Sequence, residues 1–242
     1  MGVRETEVAG KTLVISETED VCDPATGRAL TGSWLWDSAI LLSEWLTGLD
    51  FDFRGKNRAG GTGLPGLTAA LLGASRVVLT DVEPLLGGLT GNVEANGLGD
   101  RVEVCELVRG SDEIPSQLSQ VGGEDLVVLM SDVFYDASAM GALARTLKRV
   151  CQEGTNVWAS CEVRPWTGDV LNELVSEEMG VAEFPGELGL EFSSSATSGS
   201  SDGFAQTTSS QSSWVSEGAD AAATGVGGGA ALAGGRGDRD GA

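Results

Sequence analysis

The sequence predicts an α/β fold, with a mostly parallel central sheet and helices on both of its faces. Three observations favour it. Strand and helix patterns alternate along residues 1–192, a glycine-rich turn precedes one helix, and an acidic residue ends the next strand. The chain has 242 residues, of which 41% are apolar, so one such domain can bury a core.

The first half of the chain opens with two short strands, residues 4–8 and 12–16, joined around Gly10. Residues 33–46 carry apolar side chains at helical spacing, among them Trp34 and Trp45. A short helix at residues 67–72 follows the glycine-rich turn. Residues 76–80 form an apolar strand that ends at Asp81, and a helix at residues 85–96 ends at Gly97.

The second half continues the alternation. Residues 102–107, 125–130 and 155–161 have the apolar character of buried strands. Residues 137–150 form a helix with basic side chains in its last turn, where the helix dipole favours them. Another helix covers residues 169–178, and residues 181–184 are the last predicted strand.

The composition changes near residue 193. The last 50 residues contain 11 Gly, 11 Ser and 10 Ala, so no core can offset the entropy lost on ordering them. We therefore predict a domain over residues 1–192 and a disordered tail over residues 193–242. On this basis, a cut after Glu191 is expected to leave the melting temperature nearly unchanged.

The charge is strongly acidic, with 36 acidic and 15 basic residues and a net charge of -21. Such a field repels phosphate backbones and anionic lipid, so neither nucleic acid nor a membrane is an expected partner. A basic protein partner fits better. No apolar run approaches the ~18 residues that are needed to span a bilayer.

The four cysteines form no C-x-x-C pair, and the chain has no histidine. This argues against a zinc site, a Ser-His-Asp triad and a Cys-His pair. Free thiols are typical of a reducing compartment. The expected location is the cytoplasm, with the nucleus as the alternative.

The glycine-rich turn includes Gly61, Gly63 and Gly66, which satisfy the pattern G-x-G-x-x-G. Glycines let backbone amides approach a ligand closely, and Pro65 suits the first turn of a helix. Taken alone, the pattern is a weak indication, and the alternative is a tight glycine turn before a helix.

Asp81 lies 20 residues after Gly61, at the end of the next strand. An acid in this place can accept both ribose hydroxyls of a nucleoside. The turn and the acid together favour a site for a nucleoside cofactor. The alternative is that Asp81 ends its strand without a role in binding. They do not distinguish NAD from S-adenosyl-L-methionine.

Ser131, Asp132 and Tyr135 follow the strongly apolar strand at residues 125–130. This spacing puts a carboxylate and a phenol at the carboxyl edge of the sheet, where open α/β sheets bind ligands. The alternative is a helix N-cap by Asp132 and a packed Tyr135. Tyr135 is the only tyrosine in the chain, which favours the functional interpretation.

Four segments follow one another in an order that is typical of a known family. They are residues 31–39 (Thr-Gly-Ser-Trp-Leu-Trp-Asp-Ser-Ala), the turn at Gly61, residues 92–96 (Asn-Val-Glu-Ala-Asn), and Asp132-x-x-Tyr135. Over roughly residues 1–190 the chain resembles the seven-strand protein-lysine methyltransferases of the methyltransferase-like group. The resemblance implies a Rossmann-like class I methyltransferase fold, S-adenosyl-L-methionine as cofactor, and a protein substrate with an acceptor lysine. We expect a monomeric enzyme.

The resemblance assigns cofactor binding to seven residues: Trp36, Gly60, Gly61, Gly63, Asp81, Arg109 and Ser131. The three glycines would shape the methionine end of the site, Asp81 would hold the ribose, and Ser131 would line the pocket. Arg109 occupies the place of an adenine-side aromatic residue in the family. Trp36 would touch the cofactor, and its alternative is a core aromatic on an amphipathic helix.

By the same resemblance, Asp132 and Tyr135 border the acceptor-lysine channel and are the expected catalytic residues. The lysine must first lose its proton, which at pH 7.4 costs about 4 kcal/mol. A nearby carboxylate raises the pKa of a lysine, so Asp132 is expected to position groups and not to act as a charged base. Tyr135 would supply a channel wall and a hydrogen bond.

Two departures from the family stand out. Residues 56–60 are polar where the family has an apolar strand, so we expect this segment to loop outward and the site to lose preorganisation. Weak methyl transfer would follow. The family also has a final strand after residues 181–184, which is expected to be missing here. The alternatives are therefore a catalytically impaired cofactor- or protein-binding relative and, second, an NAD-dependent enzyme.

Overall fold

The computed structural model describes residues 2–54, 57–60, 63–119, 126–183 and 190–194. Within these residues the chain forms nine strands and six α-helices. In chain order they are β1 (Gly2–Val8), β2 (Lys11–Glu17), α1 (Asp37–Gly48), β3 (Asn57–Gly60), α2 (Leu64–Leu71), β4 (Arg76–Asp81), α3 (Glu83–Ala95), β5 (Val102–Glu106), α4 (Ser116–Ser119), β6 (Leu126–Ser131), α5 (Met140–Val150), β7 (Asn156–Ser160), α6 (Thr167–Ser176), β8 (Met179–Glu183) and β9 (Leu190–Ser194).

Seven of these strands form one sheet in the order β5-β4-β3-β6-β7-β9-β8. Strands β3 to β7 pair in parallel, and β9 runs antiparallel to both of its neighbours. β1 and β2 form a separate antiparallel hairpin. The predicted α/β fold, the mostly parallel sheet and the opening strand pair are confirmed.

Helices cover both faces of the large sheet. Along β6, Val127 and Leu129 belong to a core with α1, α2 and α3, whereas Val128 and Met130 belong to a second core with α5 and α6. Successive side chains of a strand point to opposite faces, so the two cores lie on the two sides of the sheet. None of the described helices combines the length and apolar character that a membrane crossing needs.

The central strand β3 corrects one expectation. It has only four residues, but its backbone does not loop outward. Asn57 lies opposite Arg76 and Leu126, and Gly60 lies opposite Leu79 and Leu129. A segment between two parallel strands can pair its backbone groups on both sides, and buried backbone groups require such partners. This pairing prevails over the polar sequence.

An aromatic cluster lies just before β3. Phe51 and Phe53 meet the ring of Trp158 edge-on, at centroid distances of 5.0 and 6.5 Å. Trp45 of α1 meets the same ring at 5.3 Å. Such aromatic pairs stabilise beyond their buried area. The residues that enter β3 therefore supply apolar anchorage that the strand's own sequence lacks.

The final strand is present, which corrects a second expectation. β9 lies between β7 and β8, with Glu191 opposite Trp158 of β7 and Ser194 opposite Met179 of β8. The strand extends two residues into the predicted tail, since both Ser193 and Ser194 pair with β8. Residues 195–242 lie outside the described residues, so their disorder stays a prediction. Residue 184, the predicted end of the preceding strand, also lies outside them.

Helix α1 begins at Asp37, four residues later than the apolar pattern predicts. Thr31–Ser33 form a 3-10 turn instead. Leu35 between them is held by the hairpin, because its N–H donates to Glu17 and its carbonyl accepts from Arg4, both at 2.8 Å. These long-range bonds keep the backbone extended where the local pattern favours a helix.

Candidate functional site

Most of the predicted site residues lie at the carboxyl edge of the large sheet. Asp81 ends β4, Gly60 ends β3 and Ser131 ends β6. Arg109 follows β5, and Tyr135 lies four residues after β6. Because parallel strands end at a common edge, the topology brings these positions together as the sequence predicts.

The glycine-rich turn leads from β3 into α2. Gly63 has φ +82°, a left-handed conformation that favours glycine, and it directly precedes the helix. Because Gly63 has no side chain, the first backbone N–H groups of α2 stay accessible to a ligand. Gly61 lies outside the described residues, and Gly60 is described only as the last residue of β3.

Gly66 explains the third glycine of the pattern. It lies in the first turn of α2, where a Cβ atom would collide with Leu79 Cδ2 and lie 3.3 Å from Val77 Cγ1 of β4. Only glycine allows the helix to pack this closely on the strand. Close packing of helix on strand is the role of the third glycine in dinucleotide-binding turns.

Asp81 is a half-buried acid whose Oδ1 accepts a 2.8 Å bond from the Val82 N–H. Burial raises its pKa above the ordinary value, while the Val82 N–H and the Arg109 guanidinium partly oppose that increase. A carboxylate with most of its acceptor capacity left suits a pair of hydroxyl groups.

Gly32 belongs to this site although no role was predicted for it. A Cβ atom on Gly32 would lie 2.9 Å from Asp81 Oδ2 and 2.8 Å from Leu85 Cδ1. The 3-10 turn therefore packs its backbone directly against the carboxylate. The only sequence signal was the segment at residues 31–39, in which this glycine stands without an evident chemical role.

Trp36 fastens that turn. It is the last extended residue before α1, and its Nε1 donates to the Thr31 carbonyl at 3.1 Å. Its ring lies 6.0 Å from that of Trp34. The alternative of a core aromatic within a helix is therefore wrong. Contact with a cofactor stays a prediction for Trp36.

Arg109 and Tyr135 form a pair at the rim of the site. The guanidinium carbon lies 5.9 Å from the centroid of the Tyr135 ring, within range of a cation–π interaction. Tyr135 is 48% exposed, so the alternative of a packed tyrosine is wrong. Since Arg109 also acts on Asp81, the cation is close to both the predicted ribose acid and the predicted channel residue.

Asp132 is buried and ion-paired. Its side chain is only 9% exposed, and Oδ2 accepts a 3.0 Å bond from Arg164 Nη2. It is not an N-cap, because Asp136 caps the 3-10 turn Ala137–Ala139 and Ala139 is the N-cap of α5. The carboxylate faces Arg164, which no sequence pattern marks as a site residue.

Two serines connect the strand ends to α1. Ser131 is buried at 3% exposure and lies opposite Ser160 of β7. Ser160 Oγ donates to the Ser38 carbonyl at 2.5 Å. This bond fixes the first turn of α1, and with it the approach of Trp36, relative to the edge of the sheet.

A cleft adjoins the site at Gly32. This cleft between β2, the turn at Gly32 and α3 is lined by Ser16, Trp34 and Leu85, and its lining includes none of Asp81, Asp132 and Tyr135. Among the side chains that the structure describes, no three Cys, Asp or Glu residues gather as metal ligands would.

The turn at Gly63, the acid at the end of β4 and the polar residues after β6 form a candidate site for a nucleoside cofactor. A family model described as lysine methyltransferase matches residues 25–176. The chain belongs to this family.

Individual relatives are protein-lysine methyltransferases. Protein N-lysine methyltransferase METTL21A of Danio rerio is 39% identical over 136 residues, which are 54% of this chain and 60% of the relative. EEF1A lysine methyltransferase 3 of Mus musculus is 34% identical over 134 residues, 54% of this chain and 55% of the relative. The chain thus spans little more than half the length of these relatives.

Among solved structures, the METTL16 MTase domain superposes with a TM-score of 0.42 and 17% identity, covering 56% of this chain and 57% of that one. The likeness is too distant to carry an argument about function.

Proposed function

We propose that this protein transfers a methyl group from S-adenosyl-L-methionine to the ε-amine of a lysine in a protein substrate. The observation that carries the proposal is the placement of Asp81, Arg109 and Tyr135 at one sheet edge, in a chain of the lysine methyltransferase family. In this proposal, Asp81 would hold the ribose and the exposed phenol of Tyr135 would meet the acceptor, both at the same edge of the sheet.

The residues of the chain fit the cofactor. Asp81 would accept the ribose hydroxyls, and the first amides of α2 beyond Gly63 would face the methionine end. Gly32 brings backbone against the same carboxylate. Arg109 would lie beside the adenine, where a guanidinium can stack on the ring. When bound, the cofactor supplies an electrophilic methyl group on a sulfonium.

The protein's contribution to the chemistry is alignment. The lysine must lose its proton, at a cost of about 4 kcal/mol at pH 7.4, and the proton is expected to leave to solvent. Asp132 is held by Arg164 and so is poorly placed to act as a base. Tyr135 is exposed at the rim, where its hydroxyl would orient the neutral amine for in-line transfer.

The substrate would be a protein with a basic surface around the lysine. A net charge of -21 favours such a partner and disfavours nucleic acid and membranes. The four cysteines are free thiols, which fits a reducing compartment. We therefore extend the proposal to a monomeric enzyme of the cytoplasm or nucleus.

A second candidate is a relative that binds the cofactor or a protein without transferring the methyl group. It is favoured by the shortness of β3, which has four residues, Asn-Arg-Ala-Gly, directly before the glycine-rich turn. A short central strand would hold that turn less firmly.

Two measurements on the purified chain separate the candidates. The first is calorimetry with S-adenosylhomocysteine and with NAD. The second is labelling of a methyl-depleted lysate with radioactive S-adenosyl-L-methionine. The proposed enzyme binds S-adenosylhomocysteine at micromolar affinity and labels a protein band. Binding without any labelled band would support the impaired relative, and binding of NAD alone would overturn both.

A further inference from the structure

We propose that Arg164 is a positioning residue for methyl transfer, which sets the place of Tyr135 by fixing Asp132. This inference rests on the proposed function. Arg164 lies four residues after the end of β7, and 32 positions separate it from Asp132. Geometry alone connects it to the rim of the site.

Arg164 is itself rigidly held. Its N–H donates to Thr167 Oγ1 at 2.8 Å, and its carbonyl accepts from the Thr167 N–H at 2.9 Å. Thr167 is the first residue of α6 and is 2% exposed. The arginine thus extends from a fixed point at the junction of strand and helix, and its side chain is only 15% exposed.

The guanidinium holds the carboxylate of Asp132 in the interior. Nη2 lies 3.0 Å from Asp132 Oδ2 and 3.1 Å from Glu162 Oε2. Asp132 Oδ1 and Arg164 Nη1 are buried without a hydrogen-bond partner among the described residues. The orientation of the Asp132 side chain therefore depends on a single bond from Arg164, and loss of that bond would leave a buried charge unpaired.

This bond acts on the backbone that leads to Tyr135. Asp132 has φ +49°, a conformation that L residues adopt at a cost. Its N–H donates to the Ser160 carbonyl at 2.8 Å. The next two residues, Val133 and Phe134, are buried at 8% and 0% exposure. A change at Asp132 would thus pass through a packed turn to the exposed ring.

The arrangement also separates the roles of the two predicted catalytic residues. Oδ1 of Asp132 is shielded and Oδ2 is bonded to Arg164, so neither oxygen faces an incoming lysine. Tyr135 faces the solvent and lies against Arg109. Asp132 and Arg164 together form the support, and Tyr135 is the group placed to touch the substrate.

The only tyrosine of the chain gives a direct test. Protein labelled with 3-fluorotyrosine has a single ¹⁹F resonance, which reports the surroundings of Tyr135. Arg164→Met should shift or broaden this resonance, and Arg164→Lys should bring it part of the way back. Arg76→Met is the matched control, because Arg76 is a partly buried arginine paired with Glu103 at 2.8 Å. It should leave the resonance unchanged.

A second variant guards against loss of folding. Asp132→Asn with Arg164→Met contains no unpaired buried charge, and asparagine tolerates positive φ. It should fold and still show a displaced resonance. Circular dichroism and affinity for S-adenosylhomocysteine, expected within twofold of wild type, would establish that the folded site persists.

Activity completes the test. In the lysate assay Arg164→Met should label the wild-type band at least tenfold more slowly, and Arg76→Met at the wild-type rate. An unchanged ¹⁹F resonance in folded Arg164→Met would overturn the inference, as would a displaced resonance with wild-type labelling. If the wild type labels nothing while the resonance still moves, the proposed function fails but the coupling of Arg164 to Tyr135 stands.

Discussion

At the scale of single residues, the site contains groups whose placement costs stability. Asp81 is half-buried with a raised pKa, and Asp132 has a positive φ. Neither arrangement stabilises the free protein. Strained or poorly solvated groups tend to persist where function needs them, so these two residues support the assignment of the sheet edge as the site.

Asp81→Asn should make the free protein more stable at pH 7 and a weaker cofactor binder. Because burial raises the pKa of the folded-state carboxyl, the ionised carboxylate lowers the stability of the folded protein at pH values above that pKa. The gain from Asn should shrink as pH falls through the folded-state pKa and vanish below the unfolded value. Urea unfolding at several pH values measures the gain.

Calorimetry on the same variant should show a loss of ~1.5–3 kcal/mol in binding S-adenosylhomocysteine. Unchanged affinity would remove Asp81 from the site. A variant less stable than wild type at pH 7 would instead show that the carboxylate stabilises the fold.

Gly66→Ala should destabilise the protein by ~1–3 kcal/mol, because the added methyl group would overpack α2 against Leu79 and Val77. Gly87→Ala in α3 is the matched control. No atom lies within 4 Å of a Cβ at Gly87, so the change should be neutral or stabilise by up to about 1 kcal/mol. Equal melting temperatures for the two variants would contradict the close packing of helix on strand.

At the scale of elements, Asn92 of α3 and Asn96, which caps the end of that helix, dock the hairpin. Asn92 Oδ1 accepts from the Ser16 N–H at 2.8 Å, and Asn96 Oδ1 accepts from the Val14 N–H at 2.9 Å. The side chains also donate back to the carbonyls of the same two residues. The two asparagine side chains thus supply β2 with the hydrogen-bond partners that a neighbouring strand would provide. The segment at residues 92–96 therefore has a structural role.

Replacing Asn92 and Asn96 together by Ala should loosen this docking. Each lost hydrogen bond contributes about 1 kcal/mol, so amide exchange at Val14 and Ser16 should accelerate by at least tenfold. Glu94→Ala, an exposed change on the same helix, should leave both rates unchanged. Slow exchange at Val14 in the double variant would mean that the rest of the hairpin packing suffices.

Elements were predictable where local sequence determines them. The apolar run of β6 and the acid that ends β4 were placed correctly. Two of the errors share one cause, which is contact between distant segments. The start of α1 is set by bonds from the hairpin to Leu35, and β9 is a strand through its partners in β7 and β8.

The candidate site likewise contains residues that local sequence marks and residues that only contacts between distant segments bring in. Asp81 and Tyr135 could be proposed from the sequence because a strand end and a fixed spacing mark them. Arg164 carries no such mark, since its relation to Asp132 exists only after β6 and β7 pair. Gly32 likewise gains its role from the approach of the 3-10 turn to β4. Residues that support a site from other elements are therefore hard to find by pattern.

At the scale of the whole molecule, β9 links the last part of the chain to the sheet. In the strand order, β8 reaches β7 only through β9. Helix α6 precedes β8 and carries Thr167, which holds Arg164. The closing strand thus stabilises the side of the sheet from which the rim of the site is supported.

Two truncations test this link. Ending the chain at Glu191 removes Phe192, Ser193 and Ser194, which lie opposite Val181, Gly180 and Met179 of β8. Ladder bonds contribute about 1 kcal/mol each, and 1 kcal/mol corresponds to roughly 2–4 °C in a protein of this size. The melting temperature should therefore fall by several degrees, in contrast to the expectation from composition alone.

Ending the chain at Ser195 is the control, because it keeps all of β9 and removes only the Gly-, Ser- and Ala-rich remainder. This variant should melt within about a degree of the full chain, since such a composition buries little apolar area. Scanning calorimetry of the three proteins provides the comparison. Equal melting temperatures for the chains ending at Glu191 and Ser195 would show that the last three residues of β9 add nothing to the sheet. A large loss in the chain ending at Ser195 would instead show that the predicted tail belongs to the fold.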